Sequence, residues 1–198
     1  MTSLWQVIPP GGNRPPVFYR PPTPEEVRFL REGRGGKVYN PQWVLGIPRC
    51  CPWGYPQVLL CRPLNPKGPF PTTFWLVCPF LSRRCGQLES EGGVRRLETR
   101  MARDPERMRR HHLDHAALRG SLLTPEENRW LRRNRPEWWR SLWSRGLGGI
   151  DFLHGDGGAK CLHLHTASWL GWGTHPFSSW LAAQFPRTHC DSPLCSGE

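Results

Sequence analysis

The pattern of hydrophobic and polar positions changes along the chain near residue 78. Before that point, short apolar runs rich in β-branched and aromatic residues lie between turns rich in proline and glycine, which is typical of strands. Three such runs cover residues 38–47, 57–61 and 72–77. Because only short turns join them, they predict a small antiparallel three-stranded sheet between residues 38 and 78.

After residue 78 the apolar side chains recur at helical spacing. Leu81, Cys85 and Leu88 are spaced i, i+4 and i+7, which places them on one face of a helix. The segments Thr23–Glu26 and Thr124–Glu127 both read Thr-Pro-Glu-Glu, with threonine as N-cap, proline at the first position and glutamate at the third. The chain is therefore predicted to be an α+β protein, with five or six helices packed on the sheet and a helix-rich C-terminal two-thirds.

The length of 198 residues fits one domain with flanking segments. Residues 1–22 contain three Pro-Pro pairs, and proline blocks both helix and ladder hydrogen bonding. We expect an extended, partly mobile arm at residues 1–22, a single domain at residues 23–187 and a disordered tail at residues 188–198.

The chain is strongly basic, with 27 Lys+Arg against 16 Asp+Glu and a net charge of +11. Many arginines lie on the predicted helices between residues 95 and 145, interleaved with Trp130, Trp138, Trp139 and Trp143. Arginine next to aromatic rings suits RNA or single strands, through phosphate contacts and base stacking. The alternative is a solvated helix face whose tryptophans turn toward the core.

The sequence contains no run of 18 apolar residues, so no membrane span is expected. The first residues lack a basic stretch followed by a long apolar run, so we predict no signal peptide and a cytoplasmic location. In a reducing compartment the eight cysteines are expected to be free thiols or metal ligands.

Cysteine and histidine concentrate at a predicted helix start. Asp156 suits the N-cap of a helix that carries Cys161 in its first turns and runs to about residue 170. On such a helix Cys161 and His165 share a face, whereas Cys161 and His163 diverge by about 200°. The alternative is a wholly buried helix whose histidines are hydrogen-bonded core residues.

Three blocks of sequence carry a family resemblance. They are Cys51-Pro52-Trp53-Gly54-Tyr55-Pro56-Gln57-Val58; Pro69–Pro79 followed by Leu88-Glu89-Ser90-Glu91-Gly92; and Gly146–Ile150 followed by Lys160-Cys161-Leu162-His163. In order and spacing these blocks resemble the bacterial family called domain of unknown function 501. The chain departs from that pattern in the loop before Lys160 and at Ser168, where the family pattern has a second histidine. The resemblance implies no reaction, but it points to Cys51, Cys78, Cys161 and His163, and it favours His163 over His165.

These four residues allow three interpretations. Three thiolates and an imidazole are a known ligand set for tetrahedral zinc, and three thiolates can also hold an iron–sulfur cluster with one open iron. Alternatively, Cys161 and His163 are the nucleophile and base of a cysteine-dependent enzyme without metal, since a helix start beside Lys160 lowers a thiol pKa. The third interpretation is that these cysteines are buried structural residues.

The leading hypothesis is a cytoplasmic protein whose Cys/His site binds zinc or an iron–sulfur cluster, with a thiol enzyme and a nucleic-acid-binding module as alternatives. Two further groups are weaker candidates. His111 and His115 share a helix face and could bind a metal, but are predicted to be a surface pair. His189, Cys190 and Cys195 faintly resemble a zinc knuckle within the predicted tail.

Overall fold

The computed structural model describes residues 5–11, 14–33, 39–154 and 158–195. Within these ranges the strands are β1 (Gln6–Ile8), β2 (Val17–Tyr19), β3 (Val44–Cys50), β4 (Pro56–Cys61), β5 (Leu64–Asn65), β6 (Gly68–Pro69) and β7 (Phe74–Leu76). The α-helices are α1 (Pro24–Glu32), α2 (Pro79–Ser90), α3 (Gly93–Met101), α4 (Pro105–Ser121), α5 (Pro125–Asn134), α6 (Pro136–Ser144), α7 (Leu162–Trp172) and α8 (Ser178–Gln184).

The predicted three-stranded antiparallel sheet is confirmed. Its strand order is β3-β4-β7, and Leu59 on the central strand lies opposite Trp75. The first strand begins at Val44, later than the predicted residue 38, which itself lies outside the described residues. The reason is a short 3₁₀ turn at Pro41–Trp43, where the Asn40 side chain accepts the Gln42 N–H at 3.0 Å.

The sheet is the middle layer of the molecule. All six residues of β4 are buried, and successive side chains of a strand point to opposite faces. Val58 and Leu60 pack into one apolar cluster together with α2 and α7, whereas Leu59 and Cys61 pack into another with α1. Apolar residues without alternation therefore mark a strand that is covered on both sides.

Local signals in the sequence explain the helix ends. Both Thr-Pro-Glu-Glu segments form reciprocal capping boxes, Thr23 with Glu26 and Thr124 with Glu127. Gly92 adopts a positive φ of 79°, which divides α2 from α3. The α+β class is confirmed, and the described residues form eight α-helices where five or six were predicted around the sheet.

The N-terminal segment packs on this framework. Strands β1 and β2 form an antiparallel ladder, and Val17 is fully buried in the cluster beside α7. The Trp172 indole N–H donates to the carbonyl of Pro15 at 3.2 Å. The proposed boundaries of arm, domain and tail stay predictions.

Buried Arg119 holds residues 146–150, which precede α7, in place. Arg119 is fully buried, and its guanidinium donates to the carbonyls of Leu142 at 2.8 Å, Pro71 at 3.0 Å and Gly146 at 3.1 Å, and also to Arg145. Burial lowers the pKa of Arg119 to about 10, so the group remains a cation at neutral pH. These bonds tie α4 to the end of α6 and so place residues 146–150 beside α7.

No helix among the described residues is both long enough and apolar enough to cross a membrane.

Candidate functional site

Helix α7 begins later than the sequence predicted. It starts at Leu162, and Cys161 is the N-cap, with extended dihedrals of φ −156° and ψ 156°. The prediction that Asp156 caps this helix is therefore wrong, and Asp156 itself lies outside the described residues. The physical cause is a three-residue turn centred on Lys160, which has a φ of 57° while the Cys161 N–H donates to the carbonyl of Ala159 at 2.7 Å.

This backbone geometry brings Cys161 and His163 together. Because Cys161 is extended, the angle of about 200° expected on a regular helix does not apply to this pair. The ligand atoms of Glu89, Cys161 and His163 all lie within 4.8 Å of one another. Within the parts of the chain that the structure describes, this is the one such group of three or more histidine, cysteine or acidic residues.

Glu89 is the member of this group that sequence reasoning missed. It lies near the end of α2, and its Oε1 accepts the Leu162 N–H at 2.6 Å and the His163 N–H at 3.4 Å. The same oxygen is 3.0 Å from Nδ1 of His163. The carboxylate therefore satisfies free N–H groups at the start of α7 and complements the helix dipole. The one available signal was its position in the second family block.

The electrostatics favour a charged imidazole at this position. A hydrogen bond with Cys161 and a second one with Glu89 raise the pKa of His163, and partial burial opposes them. The His163 side chain is 36% exposed and that of Glu89 is 25% exposed, so solvent still reaches the group. Glu89, Cys161 and His163 therefore interact with one another and remain accessible to solvent.

Two members of the group, Cys161 and His163, line a cleft of about 580 Å³. Aromatic and aliphatic side chains provide most of the lining, with Cys161, His163 and Lys160 at one side. The other lining residues are Tyr39, Thr72, Phe74, Trp75, Leu76, Pro79, Ser82, Gly148 and Leu164. A volume of this size matches cavities that hold small organic molecules.

The other two predicted ligands lie elsewhere. Cys51 and Cys78 line a separate small pocket together with Cys190 and Cys195. The structure therefore brings together Cys161 and His163 but leaves Cys51 and Cys78 outside that close group. Metal binding and catalysis by any of the four residues stay predictions.

His165 is a hydrogen-bonded core residue, which was the alternative interpretation. It is fully buried, its Nε2 is 3.0 Å from the carbonyl of Ala159 and its Nδ1 is 2.9 Å from Nε2 of His175. Because Nδ1 of His175 accepts the Phe177 N–H at 3.0 Å, the His175 proton is on Nε2 and points at His165. His165 in turn carries its proton on Nε2. Burial lowers the pKa of His165 to about 4.

The predicted surface pair His111 and His115 is also in the interior, so that prediction is wrong. Their Nε2 atoms lie 3.2 and 2.8 Å from the hydroxyl of Ser168 on α7. The His115 ring meets Trp172 edge-on, with ring centroids 4.8 Å apart. Their burial could not be predicted from the sequence, because α4 carries polar side chains at buried positions. Hydrophobic spacing therefore does not identify its inner face.

The arginine-rich helices present a mixed surface. Arg132 and Arg135 are exposed, and their guanidiniums lie over the rings of Trp139 and Trp138 at 5.4 and 5.6 Å from the ring centroids. These two tryptophans also pack against the small cluster around Leu131. Nucleic-acid binding through residues 95–145 stays a prediction.

Fold and site together define an α+β protein with a Glu/Cys/His group on the wall of an apolar cleft. The sequence profile described as "Protein of unknown function (DUF501)" matches residues 47–183 of the 198. The chain therefore belongs to this family, and the matched region contains Glu89, Cys161 and His163. No curated protein and no solved structure matches the chain.

Proposed function

We propose that the chain binds a single zinc ion through Glu89, Cys161 and His163. The observation that carries this proposal is the mutual approach of the three ligand atoms to within 4.8 Å at the wall of a cleft. Thiolate, imidazole and carboxylate are all common zinc ligands. One thiolate and one carboxylate together balance the charge of a divalent ion.

The distances suit a metal ion as well as a hydrogen bond. Zinc bonds of about 2.0–2.3 Å in a tetrahedral site place neighbouring ligand atoms about 3.3–3.8 Å apart. The His163 Nδ1 to Glu89 Oε1 separation is 3.0 Å, so a small rotation of these side chains would admit an ion. Iron–sulfur clusters are held mainly by thiolates, and this group has one, so zinc is the better fit.

The proposed ion would have an open position. Structural zinc sites use four protein ligands, whereas catalytic sites use three and keep the fourth for water or substrate. Three protein ligands beside a cleft of about 580 Å³ fit the second arrangement. An ion there would polarise a bound group or activate a water molecule.

A cysteine-dependent enzyme without metal is the second candidate, and specific contacts favour it. His163 interacts with both the Cys161 thiol and the Glu89 carboxylate, which are the residue types of a nucleophile, a base and an orienting group. Cys161 is also the N-cap of α7. In this case the apolar cleft would bind an electrophilic substrate against Cys161.

Metal analysis separates the two candidates. After incubation with zinc and removal of free ion, Cys161→Ala and Glu89→Gln should each retain about one zinc less per chain than the unsubstituted protein. The matched control is Glu91→Gln, since Glu91 is exposed just beyond the end of α2 and should leave zinc binding unchanged. Equal zinc content in all four proteins would contradict the metal site.

The thiol candidate has its own signature. If Cys161 is a nucleophile, it should be alkylated faster than the other cysteines, and His163→Ala should slow that reaction. Ordinary thiol reactivity at Cys161, together with unchanged zinc content, would rule out both candidates.

A further inference from the structure

Half of the cysteines in the chain converge on one small pocket. Cys51, Cys78, Cys190 and Cys195 all line it, although they come from three separate stretches of sequence. Four thiolates make up the ligand set of a closed zinc site.

The first two thiols are held by regular structure. Cys51 opens the turn after β3, where its N–H donates to the carbonyl of Tyr55 at 2.9 Å. Cys78 is the N-cap of α2 and is buried.

The other two thiols are on the C-terminal segment, which crosses the pocket as a series of bends and turns. The Gln57 side chain donates to the carbonyl of Thr188, and the Trp53 indole N–H donates to the carbonyl of Cys190 at 3.0 Å. Cys195 is only 6% exposed and packs against the apolar cluster around Ile47 and Leu59. These contacts hold both cysteines over Cys51 and Cys78.

We propose that Cys51, Cys78, Cys190 and Cys195 form a second metal site, which binds one zinc ion with four thiolates and fastens the C-terminal segment to the sheet. The pocket has a volume of about 10 Å³, which is about the space of one water molecule and suits a single ion better than a cluster. Four protein ligands leave no open position, so this site is structural.

Zinc binding has to draw the thiols together. In the described part of the chain, no three of these sulfur atoms lie within 4.8 Å of one another, whereas tetrahedral zinc thiolates have sulfurs about 3.8 Å apart. Cys190 and Cys195 can supply this movement because neither belongs to a helix or strand. Residues 188–195 should therefore become more ordered when zinc binds.

The test uses the full chain carrying Cys161→Ala, so that the site at Glu89 and His163 is disabled. This protein should bind about one zinc per chain, and X-ray absorption should show four sulfur neighbours near 2.3 Å. The double substitution Cys190→Ser with Cys195→Ser should remove that zinc, and neither position belongs to a helix or strand.

Cys50→Ala is the matched control. Cys50 is next to Cys51, but its sulfur accepts a hydrogen bond from Arg20 at 3.2 Å and it is not part of the pocket lining, so zinc should be retained. Zinc should also slow amide hydrogen exchange in residues 188–195. Absence of zinc from the Cys161→Ala protein, fewer than four sulfur neighbours, or unchanged zinc in the double variant would each overturn the proposal.

Discussion

Two histidines in the first turn of α7 have opposite electrostatic environments. At the start of the helix His163 is partly exposed between Cys161 and Glu89, which raise its pKa. Two residues further along the helix, His165 is fully buried among neutral partners, and burial lowers its pKa to about 4. The two side chains belong to the same helix and differ in what surrounds them. A polar residue that is hydrogen-bonded but desolvated becomes part of the core, whereas one with a charged partner and solvent access can exchange protons or ligands.

His165 is one of several buried histidines that hydrogen-bond with one another or with Ser168. His111 and His115 share the hydroxyl of Ser168, and His165 pairs with His175. Nδ1 of His115 has no hydrogen-bond partner among the described residues. Such a network specifies how α4 and α7 pack, but it can tolerate little added charge.

Acidification should cause the largest loss of stability, because it protonates the buried histidines and breaks their hydrogen bonds. Burial lowers the pKa of His111, His112, His115, His165 and His175 below that of the unfolded chain. Stability should therefore be complete above about pH 6.5 and be lost as the pH falls toward 4, by up to about 1.4 kcal/mol per pH unit for each group. Urea denaturation between pH 7.5 and 4.5 measures this loss.

His154→Gln provides the control for acidification, since His154 is 80% exposed and pairs with Asp151 at the surface, so its removal should change the profile much less than protonation of the buried histidines does. His163 acts in the opposite sense, because its raised pKa adds stability that is present at low pH and lost as the pH rises through the folded pKa. A stability that stays constant down to pH 4.5 would show that the five histidines are not buried as described.

Ser168→Ala should have the next largest effect on stability. It removes the hydroxyl shared by His111 and His115 and leaves buried ring nitrogens unpaired, at a cost of about 1–3 kcal/mol for each. Denaturant midpoints at pH 7.5 measure the change. Ser121→Ala at the exposed end of α4 is the matched control and should change stability by less than about 0.5 kcal/mol.

The environment of His163 at the start of α7 can be tested by titrating its imidazole. The hydrogen bond with Cys161 contributes most to its raised pKa, so Cys161→Ala should lower the pKa of His163 more than Glu89→Gln does. Nuclear magnetic resonance of the imidazole protons against pH measures both shifts. In every variant His165 should remain neutral down to about pH 4. The reverse order of the two variants would mean that Glu89, not Cys161, controls this histidine.

Lys160→Gly should have the smallest effect, and it should increase stability. Lysine at a φ of 57° is strained by about 1–2 kcal/mol, and glycine removes that strain but adds about 0.4–1 kcal/mol of unfolded-state entropy. The expected net gain is therefore between about 0 and 1.6 kcal/mol, measured by urea denaturation. Zinc content should not change, since the proposed ligands are unaltered. A loss of stability would show that the Lys160 bond to the carbonyl of Gly148 outweighs the strain.

Features of the chain that depend on neighbours in sequence were predictable. The helix starts at Thr23 and Thr124 need a threonine, a proline and a glutamate at fixed spacing, and the structure contains both capping boxes. The strands of the sheet followed from apolar runs between turns, and the family followed from three sequence blocks. Each helix start and each strand depends on residues that are close in sequence, so local chemistry determines it.

Features that depend on contacts between distant segments required the tertiary structure. Glu89 reaches α7 from a helix more than 70 positions away, and no local pattern marks that approach. His111 and His115 are buried because Ser168 and Trp172 cover them, although the sequence around them is polar. The choice between His163 and His165 depended on one backbone angle at Lys160, which ends the turn before α7 and leaves Cys161 extended. The sequence by itself indicated Cys161 and His163, and only the packing of α2 against α7 brought Glu89 to them, because that contact joins segments far apart in the chain.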